Sequence, residues 1–253
     1  MLAYQNTQTG QGTITSLLAA KNFSGVTVPG ALNGGSTVVF GAADQTTSEP
    51  ITYNNVPSGF GTPTTNADYV MGTNGFFIKN GATTGYPALP AGAMESGDHY
   101  LFVATSASGV STTYEEVINY TTSTSGGPLT IDFPAGWTYT GPAAVTWPSF
   151  DLSYAGYSGN KGVCRTVGMS WTPNPANAGY EVNVTATANY LNGSTTLAIP
   201  NLSGLTGFLP PPASKSPVDW SAGIYEGNFL CLGTWPTTGS TTEVANSGNY
   251  TAP

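Results

Sequence analysis

The chain holds a single histidine, His99, so a Ser-His-Asp nucleophile or an imidazole-rich metal site would have to be built on that one residue. No Gly-x-Ser-x-Gly elbow occurs to present a serine, and the residues around His99 read as a strand. A histidine on a strand surface is the expectation. Paired carboxylates are the other route to hydrolysis, and the nearest pairs are Glu115 with Glu116 and Glu95 with Asp98. Consecutive residues of a strand point to opposite faces, so Glu115 and Glu116 cannot flank one glycosidic bond. Glu95 and Asp98 bracket a turn, where carboxylates cap backbone amides. Asp44, Glu49 and Asp68 could converge on calcium, but no Asp-x-Asp-x-Asp-Gly loop is present to gather the six or more oxygens that ion takes. The sequence therefore assigns no catalytic residue, no metal ligand and no cofactor, and the chain reads as a non-enzyme.

Aromatic side chains offer a different chemistry. Trp137, Tyr139, Trp147, Phe150, Tyr154 and Tyr157 crowd one stretch, spaced by Gly, Pro and Ser. Planar rings on a rigid β-surface stack on sugar faces, and Tyr and Trp also anchor protein interfaces. Trp147 and Phe150 are expected in a core, which leaves Trp137, Tyr139 and Tyr157 as candidate ligand-binding residues. The two cysteines, Cys164 and Cys231, are too few for a zinc site. They either pair, closing a loop worth very roughly 4 kcal/mol on a chain-entropy view, or stay as buried free thiols.

Charge narrows the partners. Lys and Arg number five and Asp and Glu thirteen in 253 residues, for a net charge of −8. With Lys21, Lys79, Lys161, Arg165 and Lys215 so dispersed, no phosphate-tracking patch can form, which excludes nucleic acid and disfavours an anionic membrane surface. No run of ~18 apolar residues suggests a transmembrane helix. Met1-Leu2-Ala3-Tyr4 lacks the basic start and apolar core of a signal peptide. The lysine-poor, Thr/Asn/Gly-rich composition nevertheless fits an extracellular or cell-surface chain whose signal or lipid-anchor segment has been trimmed.

The elements that would position these groups are short strands. Apolar alternation marks 12–19, 36–41, 69–72, 76–79, 100–105 and 114–120, then 148–154, 163–171, 219–225 and 229–235. Val182, Val184, Ala186, Ala188 and Tyr190 alternate with polar residues before Asn192-Gly193, and Leu197 and Ile199 resume the period after it, which predicts a hairpin. Asn33-Gly34, Asn74-Gly75 and Asn80-Gly81 are further turn signals, and 202–208 allows one helical turn before Pro210-Pro211-Pro212. The run from Thr121 to Pro128 contains nothing that can enter a core, so it predicts a boundary: domain one over 1–122, a flexible linker over 123–128, domain two over 129–253. The fold class expected is all-β, as two tandem antiparallel β-sandwiches.

Ser96-Gly97-Asp98-His99-Tyr100-Leu101-Phe102 resembles the strand-F signature of immunoglobulin-like domains. The resemblance implies that Asp98 and Tyr100 form a structural tyrosine corner, with Phe102 standing where antibody domains carry cysteine. Pro148-Ser149-Phe150, Trp171, the run around Asn192 and Val218-Asp219-Trp220 are similar to a fibronectin type III layout. Such modules are common in bacterial surface proteins and lipoproteins, and the likeness implies a structural or adhesive role with a protein partner or self-association. A carbohydrate-binding module and a virion decoration or tail protein are the alternatives.

Overall fold

The computed structural model describes residues 2–8, 14–22, 39–110, 113–133, 144–146, 149–151, 164–172, 179–194, 196–200, 206, 212, 217–227 and 240–252. In chain order they form β1 (Leu2–Gln8), β2 (Ile14–Asn22), β3 (Thr47–Asn54), β4 (Thr64–Met71), β5 (Asn74–Ala82) and β6 (Gly85–Ala88). Next come β7 (His99–Val110), β8 (Thr113–Ser123), β9 (Leu129–Asp132), β10 (Ala144–Thr146), β11 (Ser149–Asp151) and β12 (Cys164–Trp171). The series closes with β13 (Tyr180–Thr187), the single-turn helix α1 (Ala188–Leu191), β14 (Thr196–Ala198), β15 (Pro217–Gly227) and β16 (Ser240–Thr251). The protein is all-β: β1 with β2, β4 with β5, β12 with β13 and β15, and β15 with β16 pair antiparallel, while β3 pairs with β9 in parallel.

Two compact units divide the chain: residues 1–54, 63–104 and 120–132 form one, and residues 55–62, 105–119 and 133–253 the other. β7 and β8 contribute residues to each. In unit 1 the strand order β1-β2-β5-β4-β7-β8 is accompanied by a small sheet, β6-β3-β9. The period of two does the sorting. Thr65, Ala67 and Tyr69 of β4 are buried, while Thr64 and Asn66 are exposed and Asp68 is half-buried. Four fully buried rings, Tyr69, Tyr86, Tyr100 and Phe102, fill the centre of this unit. Tyr86 meets Phe102 edge-on at 4.8 Å, Tyr100 meets Tyr69 and Tyr86 edge-on at 5.5 and 5.7 Å, and Tyr100 stacks on Phe102 at 5.8 Å. Edge-to-face and offset pairs add about 0.5–1.5 kcal/mol each beyond burial.

The stretch 123–128, expected as a linker, belongs to unit 1 and is bonded into it. Tyr86 Oη donates to Gly127 O at 2.8 Å and accepts from Gly127 N at 3.1 Å. A Cβ on Gly126 would lie 2.8 Å from Ala88 Cβ and 3.1 Å from Tyr100 Oη, so glycine is what lets the backbone pass this close to the aromatic cluster. Beyond it, β9 lies beside β3 with Leu129 opposite Ile51. Composition alone could not disclose this, because the contacts are made by backbone groups.

Unit 2 carries the order β7-β8-β16-β15-β12-β13 and a small sheet, β10-β11-β14. Val167, Met169, Trp171, Ala186, Leu197, Ile199, Val218, Ala222 and Ala252 form its core. Trp220 packs against that core and lies over Gly248, whose Cβ would stand 2.8 Å from the indole ring. The hairpin expected around Asn192-Gly193 is not formed. β13 pairs with β12, α1 follows it, and β14 pairs with β11 instead. Asn192 (φ +46) and Gly193 (φ +84) do take the left-handed conformation, but they end a helical turn rather than join two strands. Thr187 caps that turn by accepting from Tyr190 N at 3.2 Å. At β4–β5 the tight turn is Gly72-Thr73, with Gly72 at φ +58, and Asn74-Gly75 already begins the next strand. Of the strand expected over 36–41, the described residues 39–41 are not extended into a ladder and lead into a 3-10 turn, Ala42–Asp44. The strand expected over 229–235 lies outside the described residues, and so does nearly all of the helical turn expected over 202–208.

Candidate functional site

The residues singled out for chemistry are dispersed or committed to structure. His99 is half-buried at the first position of β7. Glu115 and Glu116 are successive residues of β8. Asp98 Oδ2 accepts from Glu95 N at 2.9 Å and from the Tyr69 hydroxyl, so that carboxylate closes a turn and caps a buried phenol. Tyr100 Oη reaches back to accept from Leu89 N at 2.8 Å. Asp44 accepts from Gly41 N at 2.8 Å and pairs with Lys21 at 3.2 Å; the amide, with Lys21 behind it, holds this carboxyl below its ordinary value. Burial pushes the Asp68 carboxyl the other way. Among the described residues no three His, Cys, Asp or Glu side chains are grouped to hold a metal ion. Cys164 is completely buried at the start of β12, and no free cysteine is found among the described residues. Cys231, Trp137, Tyr139 and Tyr157 lie outside them.

A different group of residues is brought together on the outer face of unit 2. In antiparallel ladders, residues directly opposite share a face. Register places Gly168 of β12 between Asn183 of β13 and Ser221 of β15, and Ser170 between Glu181 and Asp219. These residues line a hollow of about 180 Å³. Its floor exists because residue 168 is glycine: a Cβ there would stand 2.5 Å from Asn183 Oδ1 and 2.8 Å from Ser221 Oγ. Asn183 Nδ2 donates to Glu181 Oε1 at 2.7 Å, which fixes the amide and turns its oxygen over Gly168. The lining therefore presents carboxylates, an amide oxygen and hydroxyls. Neither Glu181 nor Asp219 is in an ion pair among the described residues, where the one such pair is Lys21 with Asp44.

The hollow adjoins a strand that is terminal among the described strands. β13 is the last strand of its sheet, and among the described strands it pairs with β12 alone. Over its eight residues the register with β12 runs without a bulge, and the strand contains no Pro, Lys or Arg. Bulges, Pro and charged side chains are the devices that blunt an edge, and of these β13 carries one, Glu181. β1, the other terminal strand, is by contrast interrupted twice by register shifts against β2. Glu181, Asn183 and Thr185 of β13 are exposed, while Val182 and Val184 are half-buried and Ala186 is buried. Tyr190, three residues beyond the strand, is 80 % exposed. No protein-family model, curated protein or solved structure matches the chain.

The alternation of β13 was legible as a half-wet strand, and Asn183 stood on its polar side. Glu181, Asp219, Gly168, Ser170 and Ser221 were not recognised as neighbours. The signal that could have found them is the shared period of two across three segments. It becomes useful only once β12 is known to lie between β13 and β15.

Proposed function

We propose that this protein is a non-catalytic, exported β-protein that acts by contact. Its role is structural or adhesive at a cell surface, and its partner is a protein segment that adds a strand along β13. The observation that carries this reading is the edge of β13, terminal among the described strands and free of bulges and Pro, whose outward main-chain groups are a template for another strand. The exposed ring of Tyr190 beside it supplies the type of aromatic anchor that interfaces favour. Sparse charge and Thr- and Ser-rich strands suit an extracellular setting. In this reading the two halves are immunoglobulin-like or fibronectin III-like sandwiches, and Cys164 pairs with Cys231 to brace the second.

Glycan pull-down with tryptophan fluorescence, run beside light scattering over a range of protein concentrations, tests the reading. Indifference to every polysaccharide and soluble glycan is the expected result. Fluorescence quenching by a glycan, abolished in Trp137→Ala, would replace the reading with a carbohydrate-binding module. Concentration-dependent assembly would make the partner strand that of a second copy.

A further inference from the structure

Resting on the β13 reading, we infer that the segment added to this edge is cationic: an extended strand whose outward-facing side chains include Lys or Arg. A strand laid beside β13 sits about 4.8 Å from it, and its residues facing Glu181, Asn183 and Thr185 share their face. Everything offered to that face is an acceptor or neutral. Glu181 stands at the edge itself, and the hollow behind it brings Asp219, the Asn183 amide oxygen and the hydroxyl of Ser221. Asn183 Nδ2 gives one of its two N–H groups to Glu181, so the donors left on this face are neutral amide and hydroxyl groups. An ammonium or guanidinium opposite Glu181 would complete a cross-strand ion pair.

Charge also decides against a second copy as the occupant. β13 carries an acid and no base, and the whole chain has five basic residues against thirteen acidic ones. An acidic segment would set like charges opposite each other, and a neutral one would leave the carboxylates uncompensated.

The test uses the full chain and three fluorescent peptides of equal length that alternate Val or Thr with Lys, Gln or Glu, read by anisotropy at low salt and at about 0.3 M salt. The Lys peptide is expected to bind about tenfold more tightly than the Glu peptide at low salt, with the advantage shrinking as salt rises. Glu181→Gln and Asp219→Asn should each weaken the Lys peptide about two- to fivefold and leave the Gln peptide unchanged. Both positions are exposed, so unaltered melting confirms that the variants are folded. Equal affinity for all three peptides would overturn the cationic preference while leaving strand addition standing. Failure of every peptide to bind would overturn strand addition at β13 as well.

Discussion

Replacing Tyr100 with alanine is expected to destabilise unit 1 by about 3–5 kcal/mol, the range for deleting a large buried aromatic. In a chain of this size that corresponds to a fall in Tm on the order of 10 °C. The ring is fully buried and touches Tyr69, Tyr86 and Phe102, so a cavity there removes three aromatic contacts at once. Tyr100→Phe separates the ring from its hydroxyl. Packing remains, but the buried Leu89 N–H loses its acceptor, at a cost of about 1–3 kcal/mol. The same hydroxyl makes the unit sensitive to alkali. Burial pushes the Tyr100 phenol up to about 12 from an ordinary 10.0. The folded state thus holds a proton that the unfolded chain releases earlier, so this contribution is complete below pH 10 and is lost as pH rises toward 12. Tyr69 and Tyr86 are pushed in the same direction, chiefly by burial. Melting temperature should therefore fall steeply above pH 10, and more shallowly in Tyr100→Phe. An unchanged Tm in Tyr100→Phe, or an alkaline slope equal to that of the parent protein, would contradict this account of the cluster.

Trp171→Ala should be comparably damaging to unit 2, again about 3–5 kcal/mol. Trp171 is 3 % exposed at the end of β12, opposite both Tyr180 and Val218, and meets the Tyr180 ring edge-on at 5.9 Å. It therefore joins the edge strand to the centre of the sheet through side chains as well as through the ladder. Trp171→Phe keeps an aromatic contact and should lose much less. Near-UV circular dichroism and thermal melting read both variants. A Trp171→Ala protein that melts like the parent would show that the core of unit 2 does not depend on this residue.

Most strands of this fold could be read from the period of two, since Val, Ile, Tyr and Phe recur on one side of each. β7, β8, β12 and β15 fall where the alternation places them. Pairing was harder to read. Asn192-Gly193 has the backbone chemistry of a hairpin turn, and the residues on either side alternate, yet β13 finds its partner in β12 and β14 in β11. Local turn chemistry specifies a reversal of the chain; which strands then meet depends on burying Val182, Val184 and Ala186 against Met169 and Trp171. The stretch 123–128 was misleading for a related reason. Polar and small residues read as a linker, while Gly126 and Gly127 are placed by close approach to Tyr86 and Tyr100. The hollow around Gly168 was illegible because its six polar or small lining residues come from three strands, and none of those residues carries a motif of its own.

Amide hydrogen exchange of the free protein, resolved residue by residue by NMR, tests the edge of β13 most directly. Alternate amides of an edge strand point away from its neighbour, so every second amide over Tyr180–Thr187 should exchange rapidly. The amides of β12, which pairs with β13 on one side and β15 on the other, should be protected throughout. Uniform protection along all eight residues of β13 would mean that its edge is already covered, and strand addition there would be ruled out.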